Sequence, residues 1–137
     1  MADILVDSSV ILDVFENDPT WCEWSLHMLE EHGESNRLII NQIIYTEISI
    51  GFDRIKELDD AISQSGLKIL EIPKEALFLT GKVFLKYRRK KGTKVSPLPD
   101  FFIGAHAAIA KAKLLTRDTK RISCYFPSVE LLSPTEN

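Results

Sequence analysis

The sequence predicts an α/β fold: one domain with a mainly parallel central sheet of four to five strands flanked by helices. Three observations lead there. Short apolar runs alternate with segments of helical periodicity, the pattern of strands joined by helical crossovers. The runs are apolar throughout and do not alternate with polar residues, as strands covered on both faces require. The 137 residues, 45% hydrophobic and 27% charged, suffice for one core and contain no repeat, low-complexity run or Pro/Ser/Gly-rich linker.

Ile4-Leu5-Val6 is the first buried strand, and Asp7-Ser8-Ser9 follows it as a helix N-cap signal for Val10, Ile11, Val14 and Phe15. A second helix is expected from about Asp18-Pro19 through Trp21, Trp24, Leu26 and Leu29 to Gly33. Arg37 to Ile40 is the second strand, and Asn41 can cap a helix running to about Phe52. Asp53 to Ser65 continues as a more polar helix ended by Gly66. Leu67 to Ile72 reads as a third strand, and Lys74 to Lys91 as a long helix stopped by Gly92. After a loop from Thr93 to Pro99, a helix runs from about Asp100 to Lys113. Leu114-Leu115-Thr116 is a fourth strand, and Val129 to Leu132 a fifth at the edge.

Several function classes lose their usual support. Cys22 and Cys124 belong to no C-x-x-C or Cys/His ligand pattern and read as reduced, partly buried thiols. His27, His32 and His106 form no zinc pair and read as surface or helix-packing residues. The six glycines never cluster, so no Walker loop, dinucleotide fingerprint or serine-hydrolase elbow is present. Uncharged stretches such as Phe101 to Ala110 are too short to span a bilayer. Met1-Ala2-Asp3 offers no basic region and Ile4-Leu5-Val6 stops at Asp7, so no signal peptide and a cytosolic location are expected.

The formal charge of -3 conceals a split: residues 1 to 75 hold 16 acidic and 5 basic side chains, residues 76 to 137 hold 4 and 12. Lys86, Arg88, Arg89, Lys90, Lys91 and Lys94, interleaved with Tyr87, carry most of the basic excess. Such a cluster either contacts the phosphates of a nucleic acid or forms a solvated helix end favoured by the helix dipole.

Four acids stand out by position. Asp7 ends the first strand, where ligands bind in such sheets, although Asp before Ser-Ser also serves as a simple turn. Glu47 shares a helix face with Ile43, Ile44, Ile48 and Gly51, so it interrupts an apolar stripe. A carboxylate there calls for a cation, whether a metal or a Lys or Arg from another element, unless the apolar stripe is narrower than this face. Asp100 starts the apolar, small-residue helix Phe101 to Ala108, where capping alone would account for it. Asp118 closes Thr116-Arg117-Asp118 at another strand end, with a turn or cap as its plain alternative. A doubly wound fold can gather all four. Grouped carboxylates repel unless something positive sits among them, and an all-oxygen set suits Mg²⁺ or Mn²⁺.

The chain resembles PIN-domain proteins, and more narrowly the VapC-type ribonuclease toxins of toxin–antitoxin pairs. The matching segments are Ile4-Leu5-Val6-Asp7-Ser8-Ser9-Val10, Tyr45-Thr46-Glu47-Ile48 with Gly51, Asp100-Phe101-Phe102-Ile103-Gly104-Ala105-His106-Ala107, and Leu114-Leu115-Thr116-Arg117-Asp118 with Tyr125-Phe126-Pro127. They cover essentially all of residues 1–137, one PIN-like domain, in the family's order. The resemblance implies that Asp7, Glu47, Asp100 and Asp118 form an acidic, metal-binding catalytic pocket, with Asp7 and Asp100 foremost and Ser9 and Thr116 as hydroxyl neighbours. It implies hydrolysis of RNA with a 5′-phosphate left on the product, an antitoxin that blocks the pocket, and a homodimer. Arg88, Arg89, Lys90, Lys91 and Lys94 would then track the RNA backbone. Trp21, Trp24 and the helix at 43–52 offer either a partner surface or core.

Other classes account for parts of the same pattern. A PIN-like module with a degenerate metal site would bind RNA or protein without catalysis. A phosphatase of the haloacid dehalogenase type wants a second Asp two residues after the first, where this chain has Ser9. A response-regulator receiver wants an Asp ending its third strand, where only Glu71 is present.

Overall fold

A computed structural model describes residues 2–134; Met1 and residues 135–137, which the expected domain limits take in, lie outside the described residues. The strands are β1 (Asp3–Val6), β2 (Arg37–Ile40), β3 (Lys68–Ile69), β4 (Lys113–Leu115) and β5 (Leu131–Leu132). They form one sheet in the order β3-β2-β1-β4-β5, and every pairing is parallel. The helices among the described residues are α1 (Ser8–Phe15), α2 (Cys22–Gly33), α3 (Gln42–Ser49), α4 (Ile55–Gln64), α5 (Lys74–Arg89), α6 (Pro99–Ala110) and α7 (Lys120–Tyr125).

The core follows from the apolar runs. Ile4, Leu5, Val6, Ile39, Ile40, Leu114 and Leu115 of the central strands are all buried, with Ile44, Ile48, Phe101 and Ile103 packed around them. Because the chain begins at β1, works outward through β2 to β3 and returns to β4, its direction reverses between β1 and β4. In an open parallel sheet a crevice opens beyond the carboxyl ends at that reversal. Asp7 and Thr116 follow β1 and β4 there, and the Asp7 amide continues the ladder to the Leu115 carbonyl at 2.9 Å.

Local chemistry sets the helix ends. Asp7 Oδ1 accepts from the Ser8 amide and caps α1. Asn41 Oδ1 accepts from the Ile44 amide at 3.0 Å and caps α3, while its Nδ2 donates to His106 Nδ1 at 2.9 Å. That second bond ties α3 to α6 and requires His106 Nδ1 unprotonated. Burial lowers the proton affinity of His106, which is the packing residue expected of it. Gly104 is required where α6 meets the end of α7, because a Cβ there would run into the Phe126 ring.

Several expected boundaries move, each for a physical reason. Asp18 Oδ1 accepts from the amides of Thr20 and Trp21, a turn that delays α2 to Cys22. The polar helix expected over 53–65 is the separate α4, beginning at Ile55 after a turn through Gly51. The third strand, expected over 67–72, pairs only at Lys68 and Ile69; beyond it the Ile72 amide bonds to Gln42 Oε1 and leaves the ladder. α5 stops at Arg89, with the left-handed residue being Lys91 (φ 65°). Gly92 matters instead because a Cβ there would meet the Tyr87 ring. α6 begins at Pro99, a residue pre-set for the first helical position, and ends as Lys111 turns left-handed (φ 55°). The sequence pattern gives no sign of α7. On this short helix, which buries only Ile122, Cys124 is exposed and not partly buried as expected, whereas Cys22 is half-buried. No helix among the described residues is long and apolar enough to cross a membrane.

Candidate active site

Three of the four acids predicted from sequence are half-buried at the mouth of the crevice, and Asp118 is exposed at its edge. Asp7 is the most heavily bonded. Its Oδ2 accepts from Ser9 Oγ at 3.0 Å and from Thr116 Oγ1 at 2.8 Å, and its Oδ1 accepts from the Ser8 amide at 2.9 Å. Both hydroxyl neighbours expected from sequence therefore hold the same carboxylate oxygen. A third hydroxyl is not evident from sequence: Ser8 Oγ donates to Glu47 Oε1 at 3.0 Å, so adjacent residues at the start of α1 carry the two acids' supports.

Glu47 reaches from α3 to the start of α1 and has no Lys or Arg partner among the described residues. Burial pushes its carboxyl above the ordinary range; the Ser8 hydroxyl opposes this, while the charges of Asp7 and Asp100 add to it. Asp100, in the first turn of α6, is likewise raised by burial and by the charges of Asp7 and Asp118, against the pull of Arg121. Arg121 Nη1 lies 3.3 Å from Asp100 Oδ2. Thr116 Oγ1 also accepts from the Asp118 amide at 3.1 Å, which seats the loop after β4 against Asp7.

Charge thus links all four acids, Glu47 to Asp7 and Asp100, and Asp100 to Asp118. Their side chains are nevertheless turned toward hydroxyls and Arg121, and among the described residues no three His, Cys, Asp or Glu groups stand together at metal-holding distance. The donor set is all oxygen. Glu47 and Asp100 hold protons more readily than ordinary carboxylates, through burial and their neighbours' charge, so an added positive charge relieves the group. Such donors suit a hard divalent cation, which Asp7, Asp100, Asp118 and Glu47 would hold once their side chains turned toward it.

Asp13 and Arg117 form a second arrangement that the sequence pattern does not disclose. Asp13 is buried on α1 and receives Arg117 Nε at 2.7 Å, Arg117 Nη2 at 2.9 Å and Ser25 Oγ at 2.7 Å. Arg117 also lies 5.0 Å from the centre of the Trp21 ring. This two-pronged pair pins the residue before Asp118 to α1 and α2. The only signals for it in the sequence are an acid shortly after Val10 and Ile11 and an Arg inside Thr116-Arg117-Asp118.

Arg88, Arg89, Lys90, Lys91 and Lys94 are exposed at the end of α5. Arg88 donates to the Lys94 carbonyl at 2.8 Å, and the amides of Thr93 and Lys94 donate to the Tyr87 hydroxyl. The Tyr87 ring meets Phe101 edge-on at 5.5 Å, so the basic turn is anchored beside the start of α6 and therefore near Asp100. Trp21 and Trp24 are half-buried against each other, and Ile50 after α3 is 86% exposed.

The same fold occurs in known proteins. It matches the VapBC2 complex of Rickettsia felis bound to a promoter DNA fragment (TM-score 0.74, 17% identity, 97% of this chain and 99% of that chain). It also matches a toxin–antitoxin complex from Klebsiella pneumoniae (0.70, 21%, 98% and 99%). A third match is VapBC-1 of nontypeable Haemophilus influenzae (0.69, 18%, 96% and 97%). At these identities the likeness speaks for the fold. No curated protein matches the sequence. The family model of the PIN domain matches residues 4–124, and the chain belongs to the PIN domain family.

Proposed function

We propose that this protein is a divalent-metal-dependent endoribonuclease and the toxin of a toxin–antitoxin pair. The observation that carries the reading is the group of four carboxylates at the reversal between β1 and β4, with Glu47 and Asp100 raised in proton affinity by burial and by their neighbours' charge. Asp7, Asp100, Asp118 and Glu47 would hold Mg²⁺ or Mn²⁺. When bound, the ion supplies Lewis acidity, lowering the pKa of water and offsetting charge on the leaving oxygen.

The chain's own residues supply position and proton handling. Ser9, Thr116 and the Ser8 amide fix the Asp7 carboxylate, the kind of support that orients a metal-ligating group. Ser8 orients Glu47, a carboxylate placed to accept a proton from an attacking water. No covalent nucleophile is needed. The exposed cations at the end of α5 would hold RNA by its phosphates, giving salt-dependent binding with little choice of sequence.

The toxin role rests on the likeness to chains from toxin–antitoxin complexes. It brings an antitoxin that covers the acidic group and a homodimer of the chain, in the cytosol. The test of the enzymatic reading is incubation of purified protein with single-stranded and structured RNA in Mg²⁺, Mn²⁺ or EDTA. Cleavage with either ion and none in EDTA is expected; RNA intact under all conditions would leave a binding module.

A further inference from the structure

Arg121 stands out because it serves the acidic group without belonging to it. It reaches Asp100 through one nitrogen at 3.3 Å, a single contact short of the two-pronged fork that Arg117 makes with Asp13. Its side chain is 43% exposed, and exposed ion pairs of this kind are weak and easily exchanged. Arg121 also lines a cleft of about 400 Å³, together with Asp118, Lys120, Cys124 and Tyr125. Tyr125 packs at a steep angle against Phe101, with ring centres 5.3 Å apart, and Lys90 Nζ lies 5.4 Å from the Tyr125 centroid. The cleft thus includes one of the four acids, Asp118, and combines two cations, Lys120 and Arg121, with an anchored aromatic ring beside Lys90. Phosphate wants the cations and a nucleobase wants the ring.

We infer that Arg121 is a positioning residue with two partners: in the free protein it occupies Asp100 and competes with a divalent cation, and in the complex it binds the phosphate of a nucleotide seated against Tyr125. This deepens the nuclease reading and rests on it. Cation binding at Asp100 frees the guanidinium for phosphate, so cation and nucleotide each assist the other.

Two measurements test it. Isothermal titration of Mg²⁺ into wild type, Arg121→Gln and Arg121→Lys should show Arg121→Gln binding the ion about 3- to 10-fold tighter, because a nearby like charge has been removed. Arg121→Lys should fall between them. An Arg121 that merely braced Asp100 would instead give weaker or unchanged Mg²⁺ affinity on removal, and that result overturns the inference. Adenosine 5′-monophosphate, which has no phosphodiester to hydrolyse, should shift amide resonances of α7 in NMR titrations with Mg²⁺. Tyr125→Ala should weaken that binding about fivefold or more while leaving inorganic phosphate affinity unchanged. Arg121→Gln should weaken both. Shifts confined to other elements also overturn the inference. Wild-type protein that passes both tests yet cleaves no RNA would remove the nuclease reading alone; cleavage with failed tests would remove the Arg121 assignment alone.

Discussion

Thr116 Oγ1 donates a 2.8 Å hydrogen bond to Asp7 Oδ2, joining residues 109 positions apart at the ends of adjacent parallel strands. The bond fixes which way Asp7 faces. Thr116→Val keeps the buried shape and deletes the donor. It should cost about 1 kcal/mol of stability and lower RNA cleavage by about 10- to 100-fold. Urea unfolding and initial cleavage rates measure the two effects; an undiminished rate would show that Asp7 needs no such support.

Glu47 makes stability depend on pH in a stated direction. Its folded-state pKa is raised above the ordinary glutamate value, chiefly by burial. The folded protein therefore binds this proton more readily than the unfolded chain. The resulting stabilisation is present below the unfolded value and is lost as pH rises through the raised folded value. At pH 7.5 the ionised group is a liability, so Glu47→Gln should melt a few degrees higher than wild type while losing activity. The gap should close toward pH 4. Thermal melts across pH check this, and a variant less stable at pH 7.5 would contradict it.

Asp13 and Arg117 should behave as a buried pair. Asp13→Ala leaves a guanidinium without its partner and should cost about 3 kcal/mol. Asp13→Leu combined with Arg117→Met should recover much of that loss. Urea titration of the three proteins decides, and a single variant within about 0.5 kcal/mol of wild type would remove the pair's structural role.

The basic end of α5 is testable by salt. Changing Arg88, Arg89, Lys90 and Lys91 to Gln should flatten the log–log salt dependence of RNA binding, by about 0.7 for each phosphate that the variant no longer neutralises. An unchanged slope would assign these residues to solvent alone.

How far the sequence discloses this molecule depends on the range of each interaction. β1, β2 and β4 are legible because strands buried on both faces must be apolar throughout, as Ile4-Leu5-Val6 and Leu38-Ile39-Ile40 are. Asp7 and Asn41 are legible as caps because capping is local. Glu47 is legible because it breaks an apolar stripe. β3 is overextended in a sequence reading because an edge strand pairs on one side only, and the Gln42 side chain ends that pairing from another element. α7 is six residues with Ile122 buried, too short for periodicity to register. Ser8, Asp13, Arg117 and Arg121 act through contacts that span 12 to 104 positions, and no local pattern encodes those.

Asp7→Asn tests the acidic group most directly. Asparagine preserves size, and its amide oxygen can still accept from Ser9 and Thr116, so circular dichroism should match wild type and melting should stay within a few degrees of it. Metal-dependent RNA cleavage should fall by at least about 100-fold, because changing a ligand itself should cost no less than losing the groups that orient it, which costs about 10- to 100-fold. A folded Asp7→Asn protein that cleaves RNA at the wild-type rate would contradict the assignment of the acidic group as the catalytic centre.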